Sequence, residues 1–311
     1  MIHKPLVVSL FIAIALAACG PARTPLAPAT DAPIQVTQPP TQGQEQPEQS
    51  PTETQPGLAA LAPEPQEISF QASDGQELSG YYYPAAINPA PVVVFMHWVG
   101  GDKSDWYEIA VWLQNRGLEN PFPNPGDQSW WDPSWFPPVP EGISYSVFIF
   151  SFRGCEPYQV GCTTGTPSEW LLDAQAAMLQ ATQLDGADPS RIVAIGSSIG
   201  ADGAIDGCVF LNEQQPGSCQ GGLSLSPGDY LEMSYRESVK ALGEAQPPVA
   251  AWCLADQNEI GFCNAASEAG NSGFKPVLIP DGEHGNMLLR PGLEPLPMQI
   301  ILDFLSETVG P

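Results

Sequence analysis

From residue 66 to its end, the sequence alternates between strand-like apolar runs and helix-like patterns. The run 91–97, PVVVFMH, is apolar up to its final histidine, which is typical of a strand buried on both faces of a parallel sheet. Segments with helical spacing of apolar residues lie between most of the later runs, and one of them predicts a helix near 230–242. Alternation of this kind predicts a mostly parallel sheet with helices on both faces, in one α/β domain over 66–311. Further strands are predicted over 145–150, 191–195, 222–225, 249–254 and 276–279.

The start of this domain has a different pattern. Alternating residues over 68–72 and 78–83 flank Asp74-Gly75, and an Asp-Gly pair between two such runs indicates a β-hairpin. We therefore expect an antiparallel hairpin ahead of the parallel strands.

Residues 1–19 have the features of an export signal. Lys4 precedes an apolar run over 6–18, which is too short to span a bilayer comfortably. The run ends in Leu16-Ala-Ala-Cys19, which resembles a bacterial lipobox, in which the cysteine is lipidated and becomes the mature N-terminus. Ordinary cleavage at the small-x-small site 15–17 is the alternative. We expect an exported chain, anchored by a lipid on Cys19 to the outer face of the cell membrane or to the outer membrane.

Residues 20–65 are rich in Pro, Thr, Gln, Ala and Glu and contain almost no large apolar side chain. Such a segment cannot bury enough surface to offset the entropy of ordering it. We therefore expect a disordered tether, which acts as a spacer between the anchor and the folded domain.

The seven cysteines also indicate an oxidising compartment, because an even number remains once Cys19 is set aside. The six that remain lie as three neighbouring pairs along the chain, and local pairing is favoured although other connectivities stay open. No metal site is expected, since the sequence has no C-x-x-C pair. The expected disulfides are Cys155 with Cys162, Cys208 with Cys219, and Cys253 with Cys263.

The segment 196–200, GSSIG, follows a predicted strand and precedes a predicted helix. Only Ser198 has a glycine two residues away on each side, so it occupies the centre of a G-x-S-x-G elbow. The glycines are needed because the turn is too sharp for side chains at 196 and 200. Ser198 is therefore the candidate nucleophile, and Ser197 is not.

A serine hydroxyl needs a base, and His97 and His284 are the only histidines beyond the signal segment. His284 lies in a loop between a late strand and the last helix and is the candidate base, whereas we expect His97 to shape the loop that follows it. The base in turn needs a carboxylate. Asp256 is the leading candidate because it lies just past a predicted strand, and Glu259 and Asp281 are its rivals.

The order Ser198, Asp256, His284 along the chain is that of the α/β-hydrolase triad. From about Ile68 onward the chain resembles the α/β-hydrolase fold, close to the dienelactone-hydrolase-like esterases and the related peptidase-type domains. The resemblance implies a serine hydrolase without a cofactor, with Ser198 as nucleophile, Asp256 as acid and His284 as base. It is carried by residues 74–75, 97–106, 152–154, 188–201, 224–230, 256 and 283–285.

The resemblance also implies an oxyanion hole formed by the N–H groups of Ile199 and Val99. Two positions depart from the family pattern. The usual His-Gly is His97-Trp98 here, and the usual Asp-x-Arg-Gly is Ser151-Phe-Arg-Gly154, followed by Cys155. We therefore expect a large ring beside the oxyanion loop and a second loop that is reshaped by a disulfide.

An insertion over 119–141 carries three tryptophans in a proline-rich stretch. These rings form either an apolar or sugar-stacking wall over the site, or a set of contacts that pack the loop onto the domain. The sequence leaves both interpretations open.

The leading functional hypothesis is a serine hydrolase that cleaves a small-molecule or glycan carboxylic ester through an acyl-enzyme. An amidase or peptidase with the same triad, and a non-catalytic binding lipoprotein on the same fold, are the alternatives. The formal net charge of −25 argues against nucleic acid as a partner, and it leaves the lipid on Cys19 as the means of meeting the membrane.

Overall fold

The structure is a computed structural model that describes residues 59–124, 126, 128–157 and 160–310. The expected signal segment, Cys19 and most of the expected tether lie outside the described residues. Among the helices of the described part, none is both long and apolar enough to cross a membrane.

One sheet of eight strands organises the described part of the chain, and six α-helices accompany it there. The strands are β1 (Gln66–Gln71), β2 (Glu77–Tyr83), β3 (Ala90–Met96), β4 (Ser146–Phe150), β5 (Ala187–Ser197), β6 (Cys219–Leu225), β7 (Ala250–Ala255) and β8 (Phe274–Leu278). The helices are α1 (Tyr107–Gln114), α2 (Pro167–Ala181), α3 (Ile199–Gln214), α4 (Tyr235–Glu244), α5 (Ile260–Ser267) and α6 (Pro297–Thr308).

The strand order confirms the predicted topology. Neighbours follow the order β1-β2-β4-β3-β5-β6-β7-β8. The hairpin β1–β2 is antiparallel, and β2 joins β4 in antiparallel register. Every pairing from β4 through β3 to β8 is parallel. The carboxyl ends of β3 to β8 therefore lie at one edge of the sheet, where side chains from different strands can meet.

The core consists of two apolar layers, one on each face of the sheet. All of β3 is buried, and its alternate residues enter opposite layers, with Val92 and Val94 on one side and Val93 and Phe95 on the other. Helices α2, α3 and α4 cover the first face, and α1 and α6 cover the second. The uninterrupted apolar run of β3 has this cause, because neither face of the strand meets water.

Two helices differ from the sequence-based expectation, and β5 begins at Ala187, ahead of its predicted start at 191. Helix α4 was predicted from near residue 230 and begins at Tyr235. The residues before it form a bent loop, in which the backbone N–H groups of Gly228 and Tyr230 donate to the Asp202 carboxylate at 3.0 and 2.6 Å. Helix α5 was not predicted. Its eight residues are too few to show a clear apolar period.

The last part of the expected tether contacts the domain. Three side-chain amide or guanidinium groups donate to its backbone: Asn88 to the carbonyl of Ala59 at 3.3 Å, Arg116 to that of Leu61 at 2.7 Å, and Gln114 to that of Pro63 at 2.6 Å. The ordered domain thus begins some residues before the first strand.

A buried carboxyl group lies inside α3. Asp206 is fully buried, and burial raises its pKa to about 7, with the nearby charge of Asp229 raising it further and the hydroxyl of Ser238 lowering it. One turn earlier on α3, burial also raises the pKa of Asp202 to about 8, against the lowering effect of its backbone hydrogen bonds. The folded domain therefore retains a proton on Asp206 at pH values where an unfolded chain has lost it.

This proton makes stability depend on pH. Between the ordinary aspartate pKa of 3.8 and about 7, the folded state binds one more proton at Asp206 than the unfolded state, so the contribution of Asp206 to the free energy of unfolding falls as pH rises, by about 1.4 kcal/mol per pH unit. We expect Asp206→Asn to remove this slope, so that the variant gains stability relative to wild type as pH rises from 4 to 7. Urea unfolding across that range measures it. Asp303→Asn, at an exposed site on α6, is the control, and parallel curves for Asp206→Asn and wild type would contradict the assignment.

Candidate active site

Ser198 occupies the single-residue turn between β5 and α3. Its backbone has φ 53° and ψ −114°, a conformation that non-glycine residues rarely adopt. Its N–H donates to the carbonyl of Leu225 on the neighbouring strand at 2.9 Å. The turn places Ser198 at the carboxyl edge of the sheet, at the N-terminus of α3.

The glycines on either side are required by close backbone approach. A Cβ at Gly196 would lie 1.8 Å from the carbonyl oxygen of Gly200. A Cβ at Gly200 would lie 2.3 Å from the carbonyl oxygen of Met96 and 2.7 Å from that of His97. No larger side chain fits either position without moving backbone, as predicted from the sharpness of the turn. The closeness of Gly200 to Met96 and His97 also shows that the start of α3 packs against the end of β3.

His284 links the serine to a carboxylate. Its Nε2 lies 2.9 Å from Ser198 Oγ, and its Nδ1 lies 2.8 Å from Glu259 Oε1. The loop that carries it is fixed by the N–H of Gly285, which donates to Ser226 Oγ at 2.9 Å. With the proton on Nδ1 donated to Glu259, Nε2 is free to accept the serine proton. The three side chains form one continuous hydrogen-bonded chain.

The carboxylate is a correction to the sequence-based prediction. No hydrogen bond joins Asp256 to His284, although both residues are described. Its carboxylate accepts the N–H groups of Asn258 and Glu259, both at 2.9 Å, and the Asn258 side-chain amide at 2.8 Å. Asp256 therefore shapes the turn after β7, and that turn delivers Glu259 to the histidine from the N-terminal end of α5. The other rival, Asp281, is an exposed loop residue with φ 59° whose N–H donates to Gln257.

His97 has the environment of a structural histidine. It is fully buried, its Nδ1 contacts the carbonyl of Trp98 at 2.7 Å, and its Nε2 accepts the N–H of Phe152 at 3.0 Å. Burial lowers its pKa to about 4, so the ring is neutral. Although Cys155 and Cys162 lie nearby, they are joined to each other and offer no thiolate to a metal.

The two expected oxyanion donors lie in segments that adjoin Ser198. Ile199 is the first residue of α3 and directly follows the serine. Val99 lies in the turn after β3, where Gly101 N–H donates to the carbonyl of Trp98 at 3.1 Å, and Val99 as a whole residue is 43% exposed. Both N–H groups remain candidate donors to an oxyanion.

Two aromatic rings flank the histidine. The centroid of the Trp98 ring lies 6.5 Å from that of His284, and the centroid of the Tyr230 ring lies 6.1 Å from it, in an edge-to-face arrangement. Trp98 was expected beside the oxyanion loop. Tyr230 was not singled out as a site residue, because its approach depends on Asp202, which holds the backbone N–H of Tyr230 at 2.6 Å. No local sequence pattern signals that contact.

All three predicted disulfides are confirmed among the described cysteines: Cys155–Cys162, Cys208–Cys219 and Cys253–Cys263. The first closes the loop after β4, as expected for the departure at 151–155. The third connects β7 to α5, the two elements on either side of the turn that carries Asp256 and Glu259.

The tryptophans of the insertion pack the loop onto the domain. Trp130 is 1% exposed and belongs to the core layer that contains α1. The Trp135 indole donates to the carbonyl of Ser129 at 2.8 Å, which ties the insertion to itself. At its start, the Phe122 ring lies 4.7 Å from that of Tyr107 on α1. Of the two interpretations left open by the sequence, these contacts favour packing.

Comparison with known proteins gives short sequence matches. No family model matches the chain. The chain is similar to the "Uncharacterized protein YfhR" of Escherichia coli, with 26% identity over 145 residues, which are 45% of this chain and 40% of that protein. It is also similar to the "Uncharacterized protein Rv2307c" of Mycobacterium tuberculosis, with 28% identity over 153 residues, or 48% of this chain and 43% of that protein. The chain thus spans less than half the length of these curated relatives.

Solved structures match over most of the chain. The esterase Pf2001 of Pyrococcus furiosus has a TM-score of 0.54 at 16% identity, covering 79% of this chain and 93% of that chain. The 2,6-dihydroxy-pseudo-oxynicotine hydrolase has a TM-score of 0.54 at 15% identity, covering 80% and 69%. The alpha/beta hydrolase GrgF from Penicillium has a TM-score of 0.53 at 11% identity, covering 79% and 99%. Together with the strand order, these likenesses show that the chain has the α/β-hydrolase fold.

Proposed function

We propose that this protein is a serine hydrolase that cleaves carboxylic esters through an acyl-enzyme, with Ser198 as nucleophile, His284 as base and Glu259 as the carboxylate partner. The observation that carries the proposal is the continuous contact from Ser198 Oγ to His284 Nε2 at 2.9 Å and from His284 Nδ1 to Glu259 Oε1 at 2.8 Å. Nucleophile, base and orienting carboxylate in hydrogen-bonded succession constitute the triad arrangement of acyl transfer.

The geometry supports a two-step reaction. Ser198 Oγ attacks the ester carbonyl while its proton moves to His284 Nε2, and Glu259 stabilises the resulting imidazolium. The N–H groups of Ile199 and Val99 donate to the oxyanion of the tetrahedral intermediate. When the carbon–oxygen bond to the alcohol breaks, His284 returns the proton to the leaving oxygen. Water then adds to the acyl-enzyme by the same route and releases the acid.

Trapping the covalent intermediate tests the proposal. Incubation of the full chain with a fluorophosphonate should add one phosphonyl group to the peptide that contains Ser198, and p-nitrophenyl acetate should turn over with a burst at high enzyme concentration. A p-nitroanilide with the same acyl group measures the amidase alternative. An enzyme that neither reacts with the probe nor hydrolyses a panel of acyl esters would refute the proposed function.

We also propose that the protein acts at the cell envelope, exported and anchored by a lipid on Cys19. Support comes from the residues 1–19 and from three disulfides in the described domain, which fit an oxidising compartment. Incorporation of an alkyne-tagged fatty acid during expression tests the anchor, because a Cys19→Ser variant would lose the label. Equal labelling of both would reject Cys19 as the lipid site.

A further inference from the structure

The loop after β4 contacts the loop after β3 at three points. The N–H of Phe152 donates to His97 Nε2 at 3.0 Å, and the N–H of Cys162 donates to the carbonyl of Val99 at 2.8 Å. At the C-terminal end of the loop after β3, the N–H of Lys103 donates to Ser151 Oγ at 3.2 Å. The loop that carries a candidate oxyanion donor is thus held by a neighbouring loop along most of its length.

These contacts fix both peptide units around Val99. The carbonyl of Trp98 is held by His97 Nδ1 at 2.7 Å and by the N–H of Gly101 at 3.1 Å. In a trans peptide the N–H points away from the carbonyl of the same plane, so the direction of the Val99 N–H is set by the Trp98 carbonyl. The following plane is set by the bond from Cys162 to the Val99 carbonyl.

The described residues 151–157 and 160–166, which include Cys155 and Cys162, form no helix or strand. They are closed into a loop by the Cys155–Cys162 disulfide, which spans a sequence separation of 7, and by the N–H of Thr163, which donates to the carbonyl of Gly154 at 2.8 Å. The contact leaves no space, because a Cβ at Gly161 would lie 2.9 Å from the Val99 carbonyl oxygen and 3.4 Å from Gly100 Cα. The disulfide is therefore the covalent constraint that keeps Cys162 against Val99.

We propose that the Cys155–Cys162 disulfide is a positioning element for catalysis, which holds the Val99 N–H where the oxyanion develops. This inference rests on the proposed function. Because the oxyanion exists only in the transition state and intermediate, a displaced donor lowers kcat and leaves KM nearly unchanged. Removal of one oxyanion donor costs about 10²- to 10³-fold in kcat, so we expect a loss of at least about tenfold when the donor is loosened.

The test compares two disulfide variants of the full chain. Cys155→Ser with Cys162→Ser removes the proposed constraint. Cys208→Ser with Cys219→Ser is the matched control, because this bridge joins α3 to β6 ten residues past Ser198, about 15 Å along the helix. We expect the first variant to lose kcat on p-nitrophenyl acetate by at least about tenfold with KM within about twofold, and the control to retain wild-type kcat. Assays run well below the melting temperature of both variants, with far-UV dichroism as the check on folding.

A second variant keeps the test decisive if the first does not fold. Gly161→Ala leaves the disulfide intact and presses a methyl group onto the Val99 carbonyl, so it should also lower kcat more than it raises KM. Equal kcat in wild type, Gly161→Ala and the folded Cys155/Cys162 variant would overturn the proposal, as would equal losses in both disulfide variants.

Hydrogen exchange separates this inference from the proposed function. Backbone exchange of the peptide covering 97–104 should rise in the Cys155/Cys162 variant and stay at the wild-type level in the Cys208/Cys219 control. That readout needs no substrate, so it tests the constraint even if wild type proves inactive on esters. Unchanged exchange in a folded Cys155/Cys162 variant would refute the positioning role whatever the activity.

Discussion

Replacing Ser198 by alanine should lower the turnover of a short p-nitrophenyl ester by about 10⁴-fold or more. The substitution removes the hydroxyl oxygen that lies 2.9 Å from His284 Nε2. It should also abolish fluorophosphonate labelling. The fold should be retained, because the strained backbone at this position gains nothing from the hydroxyl, and dichroism with a thermal melt checks this.

Ser197→Ala is the matched control for this experiment. Ser197 is the other serine of the motif, and it is fully buried, with its Oγ 2.8 Å from where a Cβ of Gly285 would lie. It therefore lies beneath the histidine loop and cannot reach a substrate. We expect Ser197→Ala to keep most of the activity, and equal losses in the two variants would argue against Ser198 as the nucleophile.

Replacing Glu259 by glutamine should lower turnover by about 10²- to 10⁴-fold. Glutamine is similar in size and can still contact His284 Nδ1, but it carries no charge to stabilise the imidazolium and can hold the ring in the wrong tautomer. Measurement of kcat and KM on the same ester should show the loss in kcat. Glu259→Asp, which keeps the charge on a shorter side chain, should recover part of the activity.

Asp256→Asn provides the comparison that decides between the two carboxylates. Asp256 accepts hydrogen bonds from the turn before α5, whereas the hydrogen bond to His284 comes from Glu259. Its substitution should therefore cost less than that of Glu259, through a looser turn rather than a lost charge. A wild-type rate in Glu259→Gln together with a large loss in Asp256→Asn would return the role to Asp256.

The fold class and the nucleophile could be predicted from the sequence, whereas the carboxylate that contacts His284 could not. The alternation of strands and helices determines the fold class, and the elbow around Ser198 is recognisable because its glycines act within five residues. The partner of His284 depends instead on how a short turn folds. Asp256 follows the strand, as predicted, but its carboxylate is used by backbone N–H groups of that turn, and the longer side chain of Glu259 reaches the histidine.

Polar contacts between residues far apart in the chain could not be predicted from the sequence either. Asp202 accepts the backbone N–H groups of Gly228, Tyr230 and Leu231, in the loop that places Tyr230 beside His284. The local disulfides were predictable for the opposite reason, since each joins cysteines separated by 11 residues or fewer. Pairing within so short a loop leaves few geometric choices.

The segment ahead of β1 is attached to the domain through its carbonyl oxygens at Ala59, Leu61 and Pro63. Every amino acid offers such an oxygen, so these contacts place few demands on the identity of the residues that make them. The contacts do require side-chain donors in the domain, which are Asn88, Gln114 and Arg116. The segment ahead of β1 can therefore diverge in sequence over evolutionary time while it stays attached at the same place. Selection should be stronger on the three donor residues than on the residues whose carbonyl groups they bind.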